Sequence, residues 1–184
     1  MKHTLIALAT TAALAVSSTA MAADGTVSFA GEIKATTCLI NGTDPGAGAV
    51  DIPVVLPEVS MSALRAAGQR AGAKTYNVVL GGAGDTACTN GQIASMHFEA
   101  SSPAIDAATG RLNNDRTVGN AANVQVAIKN ADNTEIDLRD SNNSQQVVIA
   151  GNTATLTYIA EYVATAVATA GPVATRVQYS MVYN

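Results

Sequence analysis

The chain has 184 residues, 10 basic and 14 acidic side chains, two histidines, two cysteines and no tryptophan. A mildly acidic sequence without a basic cluster argues against a nucleic-acid partner. No apolar run after residue 22 reaches the length of a membrane-spanning helix.

The first 22 residues read as a secretory signal peptide. Lys2 and His3 open it, an apolar run follows from Leu5 to Val16, and Ala20-Met21-Ala22 is a small-x-small cleavage site. Removing these 22 of 184 residues leaves 162, with 9 basic and 14 acidic side chains and a net charge near −5. That length suits one domain. Cys38 and Cys88, an even count behind a signal peptide, point to a disulfide. Closing a loop of this length stabilises a fold by about 4 kcal/mol in the chain-entropy picture. A metal site is the weaker reading, because His97 is the only histidine left to support one.

The pattern after residue 22 is β. From Thr26 to Ile33 the residues alternate, with Val27, Phe29, Gly31 and Ile33 on one face and Ser28, Ala30 and Glu32 on the other. Asn41 to Gly48 is a turn-rich break. Asp51 to Leu56 is a short apolar strand whose Pro53 places it at an edge or a bulge. Val59 to Ala67 holds a single helical turn carrying Leu64. Lys74 to Leu80 is a strand, followed by a glycine-rich turn. In Ile93 to Glu99, Met96 and Phe98 point inward while His97 and Glu99 point outward. Pro103 to Asn114 is loop. Asn123 to Lys129 is a strand with Val124, Val126 and Ile128 on one face, and Glu135 to Leu138 continues it after a turn. Val147 to Ile149 is a short run. Thr153 to Val163 and Thr175 to Tyr183 are the clearest strands. Short strands between Gly, Asn, Asp and Pro turns predict an all-β sandwich.

Chemistry-bearing patterns are absent. His97 sits on a polar strand face, and no serine has a G-x-S-x-G context. Gly81 to Gly84 lacks the Lys-Ser/Thr of a phosphate loop. Asp132, Glu135, Asp137 and Asp140 do not follow a calcium-loop order, so they read as a solvated edge. No enzyme, no cofactor and no metal is expected.

The ends of the chain are more informative. In the last strand Val177, Tyr179, Met181 and Tyr183 share one face, and the sequence ends on it at Asn184. Its apolar face needs cover, and the expectation is that a strand from elsewhere supplies it. The segment before Cys38 could be an ordinary first strand, or it could leave its own domain and pair with another copy.

Asp24 to Cys38 (DGTVSFAGEIKATTC) resembles the N-terminal arm and first cysteine of chaperone–usher pilins. Val54 to Leu80 (VVLPEVSMSALRAAGQRAGAKTYNVVL) resembles the stretch leading towards the second cysteine. Gly171 is fourteenth from the C-terminus and Tyr183 is penultimate, which also resembles that family. The resemblance implies an incomplete immunoglobulin-like sandwich lacking its last strand, completed in trans by donor-strand complementation. Residues 23–34 would be the donor arm, with Val27, Phe29, Gly31 and Ile33 entering a neighbour, and 35–184 the pilin domain. Gly171, Val177, Tyr179, Met181, Tyr183 and Asn184 would belong to the acceptor groove, which a periplasmic chaperone fills before an outer-membrane usher exchanges it for the next subunit's arm. Localisation on a surface fimbria follows, with other pilin subunits as partners and host-cell receptors reached through the fibre. The competing readings are a minor adaptor pilin, a tip adhesin and a self-contained periplasmic immunoglobulin-like binding module. The adhesin is disfavoured because 162 residues leave no room for a receptor domain and an arm is present.

Overall fold

A computed structural model of the chain describes residues 27–31, 33 and 37–184. The expected signal peptide lies outside these residues, as do Thr26 and Glu32 of the alternating segment. The chain divides into two units, Met1–Ile33 and Lys34–Asn184. In the first, the described residues form no strand, although alternation predicts one. Val27, Phe29 and Ile33 are 77%, 92% and 101% exposed. A strand needs a partner for its backbone groups, and alternation alone does not supply one.

Among the described residues the second unit holds seven strands in two antiparallel sheets. β1 (Arg70–Gly81), β6 (Thr153–Ala164), β4 (Val124–Asn130) and β3 (Leu112–Asn113) lie in that order in one sheet. β5 (Gln146–Val148), β2 (Ile93–Phe98) and β7 (Tyr179–Tyr183) form the other. Among the described residues the only helical pieces are two single 3-10 turns, Pro45–Ala47 and Met61–Ala63. The second carries the expected buried Leu64 at its end.

Alternation decides which face each strand buries. In β2, Ala94, Met96 and Phe98 turn inward, as expected. In β6, Ala154, Leu156, Tyr158 and Ala160 do the same. These residues meet Val78 and Leu80 of β1 and Val126 and Ile128 of β4 in the core. Tyr158 is fully buried and packs edge-on against Phe98 with ring centroids 5.9 Å apart. Its hydroxyl and that of Ser144 are 3.1 Å apart, so the one polar atom of that ring is satisfied.

Several elements differ from the sequence expectation. Asp51 to Leu56 forms no strand, Glu135 to Leu138 makes only an isolated bridge from Glu135 to Lys129, and β1 begins at Arg70 where Lys74 is expected, because a ladder needs a backbone alongside and Val163 and Tyr162 of β6 supply one to Arg70 and Ala71. β4 is buried on both faces, because Gln125 on its outer side is held by Asn113 and Thr109 from the loop that crosses it. Within that loop, Leu112–Asn113 forms a two-residue strand against β4. The last strand is regular only from Tyr179, four residues later than its alternation suggests.

Cys38 and Cys88 are bonded to each other and buried. The residues after Cys38 are pinned to the end of β1, with Asn41 N donating to Val79 O at 2.7 Å and Gly81 N to Leu39 O at 2.8 Å.

Candidate functional site

Among the described residues β7 is an edge strand, with β2 alone beside it. Ile93 and Asn184 exchange both backbone hydrogen bonds, at 2.8 and 2.9 Å. An antiparallel ladder alternates, so Val182, Ser180 and Gln178 also aim their backbone groups at β2, and the odd-numbered residues aim theirs away. Glu99 N donates to Gln178 O at 2.9 Å, as this pattern requires.

Upstream of β7 the same rule continues without a strand partner. Gln178 N donates to Ser102 Oγ at 2.9 Å, and Ala174 N to Asn114 Oδ1 at 2.8 Å. Ala174 O accepts from Asp115 N, and Pro172 O from Ala121 N, both at 2.9 Å. Side chains and loops thus stitch one edge of this segment. On the other edge, among the described residues, no backbone hydrogen bond reaches Val173, Thr175, Val177, Tyr179, Met181 or Tyr183. Their side chains are half-buried against the core. Thr175 Oγ1 is buried there without a hydrogen-bond partner.

A second lip faces this one. Val50, Ile52, Val54 and Leu56 are half-buried against the core, while Asp51, Pro53 and Val55 point outward. The segment alternates like a strand but pairs with none. Pro53 and Pro57 have no N–H to offer. Tyr179 reaches across and donates its hydroxyl to Val50 O at 2.7 Å. Burial first, and then the nearby Asp51 carboxylate, push its phenol pKa up, so it stays a donor at neutral pH.

Between the lips lies a trough of about 810 Å³ whose floor is the core itself: Met96, Phe98, Leu112, Val126, Ile128 and Ala160. A cavity of about 520 Å³ occupies one end, lined by Glu58, Val59, Leu64, Gly171 and Val173. A smaller one of about 210 Å³ lies beside Tyr183 and Cys38 at the other end. Apolar side chains exposed along such a trough are unfavourable in water, and strand edges with free donors and acceptors invite pairing. The arrangement is suited to accept one extended strand.

The expected residues divide cleanly. Val177, Tyr179, Met181 and Tyr183 line one lip. Gly171 stands at the end cavity, and Asn184 is spent on pairing with Ile93. Sequence reasoning missed the facing lip, although the alternation Val50, Ile52, Val54, Leu56 was its signal. The acidic residues are engaged locally: Glu135 with Arg70 and Arg111, Asp137 with Arg139, and Asp132 with the Thr134 amide.

A two-sheet sandwich with an open edge along its core defines the architectural class. Residues 56–184 match the family described as Type-1 fimbrial protein, A, and the chain belongs to that family. It is 38% identical over 109 residues to the major fimbrial subunit SMF-1 of Stenotrophomonas maltophilia, covering 59% of this chain and 58% of that protein. It is 35% identical over 116 residues to the F17 fimbrial protein of Escherichia coli, covering 63% and 61%. The chain thus spans about three fifths of these relatives' length. Three solved structures share the fold. The P pilus rod subunit PapA has a TM-score of 0.51 at 16% identity, covering 73% of this chain and 93% of that one. A chaperone–usher pilus subunit, from a study of rod uncoiling, scores 0.53 at 17%, covering 88% and 96%. The CupB6 tip adhesin of Pseudomonas aeruginosa scores 0.54 at 15%, covering 79% and 38%.

Proposed function

We propose that this chain is a structural subunit of a bacterial surface fimbria, exported through the periplasm and polymerised by strand exchange. The arm of one copy, residues 23–34, enters the trough of the next, residues 35–184. The observation that carries this reading is the trough itself: one lip with a free backbone edge, a facing lip without a ladder, and a floor made of core side chains. The dimensions suit the arm. Val27 to Ile33 is seven residues, or roughly 23 Å of strand, and the lip from Val173 to Tyr183 is longer. Val27, Phe29 and Ile33 would fill apolar space between the lips. Gly31, with no side chain, suits a point where two backbones close on each other. Strand addition of this kind takes affinity from main-chain hydrogen bonds and specificity from alternate side chains; donor-strand complementation in chaperone–pilin complexes is a known instance of it.

The same trough would take a periplasmic chaperone's strand before assembly, and an outer-membrane usher would catalyse the exchange. The runner-up is a self-contained binding module whose own arm fills the trough. The deciding comparison uses residues 35–184 alone and the same residues followed by a short turn linker and residues 24–34. A strand attached after β7 runs antiparallel to it, as a hairpin requires. The second version is expected to unfold at higher urea and to stay monomeric, while the first aggregates. Equal stability of the two would overturn the proposal.

A further inference from the structure

Strand exchange by itself does not say whose arm the trough accepts. The charges on its rim do. From Pro172 to Asn184 the only Lys, Arg, Asp or Glu is Arg176, which is exposed and lines the trough. On the facing lip Asp51 lines the trough at the end where Tyr179 meets Val50, and Glu58 lines the end cavity beside Val173. The arm's outward row reads Ser28, Ala30, Glu32, Lys34: two neutral residues, then a carboxylate, then an ammonium.

Pairing rules limit how these charges meet. Directly opposed residues of a ladder place their side chains on the same face. The odd-numbered residues of the β7 lip face inward, so the arm's inward residues Val27, Phe29, Gly31 and Ile33 must oppose odd-numbered ones. For an arm antiparallel to β7 whose inward residues from Val27 to Ile33 all lie against the lip from Val173 to Tyr183, Glu32 must then oppose Ala174, Arg176 or Gln178. The lips run antiparallel to each other, because Tyr179 reaches Val50 while Val173 and Val59 pack in one cluster. An arm antiparallel to β7 therefore carries its Lys34 end towards Glu58.

These three registers are not equivalent. With Glu32 opposite Arg176, opposite charges meet, Phe29 lies against Tyr179, and Lys34 opposes Ala174 near the end where Glu58 sits. One step of two residues in one direction leaves Arg176 facing Ala30. The same step in the other direction sets Lys34 against Arg176, a like-charge contact that directly opposed positions disfavour. Given the strand-exchange reading above, we infer that the trough is addressed to the arm of a second copy of this chain, with Glu32 facing Arg176 and Lys34 directed at Glu58 to fix the register.

Even-numbered residues on the lip's open side form non-hydrogen-bonded pairs with the arm, with Cα atoms about 4.5 Å apart and so within disulfide reach. The test adds peptides of residues 24–36, which contain no natural cysteine, carrying Ala30→Cys, Glu32→Cys or Lys34→Cys, to the full chain bearing Arg176→Cys. A mild oxidant follows, and adducts are read by mass. The Glu32→Cys peptide is expected to form the adduct at least several-fold faster than the other two. Faster reaction at residue 30 or 34 overturns the charge register and leaves strand exchange standing. No adduct from any peptide, with the chain's own disulfide intact, overturns strand exchange as well. In parallel, an unsubstituted peptide should bind the natural chain roughly two- to fivefold more tightly than one with Glu32→Arg, the size expected of an exposed cross-strand charge pair. Arg176→Glu should reverse that preference, and equal affinities would overturn the inference.

Discussion

Tyr179 joins the two sides of the trough. Its ring packs on the core, and its hydroxyl is held by Val50 O on the facing lip. Around that lip, residues 51–57 make no backbone hydrogen bond among the described residues, so this bond and the packing of Ile52, Val54 and Leu56 on the core hold the segment in place. Tyr179→Phe keeps the ring and removes the bridge. It is expected to lower the stability of the domain with an empty trough by about 1 kcal/mol, the usual net worth of one hydrogen bond, read from urea denaturation. With the arm strand supplied, main-chain pairing supports both lips and the loss should shrink. Gly171 shows a different kind of necessity. A Cβ there would lie 2.4 Å from Gly119 O and 2.5 Å from Ala121 N, and its φ of +150° is one that other residues rarely adopt. The glycine lets the chain enter the lip while pressed against that loop.

Among the elements, the four-stranded sheet carries a row of charges that ties its strands together. Glu161 of β6 is buried between Arg70 of β1, 2.5 Å away, and Lys129 of β4, 3.1 Å away. Arg70 also meets Glu135, which takes a second bond from Arg111 at 2.7 Å. Burial pushes the Glu135 carboxyl up, but the two guanidinium groups outweigh it and hold its pKa below the ordinary glutamate value. A carboxyl with a depressed folded-state pKa contributes stability in full above its unfolded value and loses it as pH falls through the folded value. Stability should therefore decline as pH falls below the ordinary glutamate range. In Glu135→Gln that decline should be shallower, as measured by thermal unfolding across an acid pH series. The opposite sheet has no comparable row. Its edge, β7, is held on one side alone, and the disulfide loop from Cys38 to Cys88 contains the entire facing lip. That covalent closure limits how far a lip without a ladder can stray.

For the molecule as a whole, the strand-exchange proposal makes the arm of one copy and the trough of the next complementary. Burying Val27, Phe29 and Ile33 is worth roughly 1.5–3 kcal/mol each at most, and the trough's own apolar floor adds to it. Phe29→Asp places a charge where an apolar contact is required, which buries it unpaired. Fibres seen by electron microscopy are expected to be lost from cells making this variant. The purified full-length variant, as a monomer, should keep the unfolding temperature of the natural chain, since Phe29 is 92% exposed. Normal fibres from the variant would show that the arm does not enter a neighbour.

Much of this protein was legible before any coordinates. Alternation marked the inward face of β2, with Met96 and Phe98, because a side-chain period of two is a local property of extended backbone. The cysteine pair, the turns at Asn41 to Gly48 and the half-buried face of Val177, Tyr179, Met181 and Tyr183 were equally local. Ladders are not local. Val54, Val177 and the arm all carry strand patterns, yet only Tyr179–Tyr183 finds a partner, because pairing depends on which backbone lies alongside. The burial of both faces of β4 likewise required a loop distant in sequence to cross it. What the sequence determined by itself was which segments alternate and which of their side chains share a face. Tertiary structure decided which edges meet, because pairing depends on which backbone lies alongside, and so left open a trough along the core of a size to take an incoming strand.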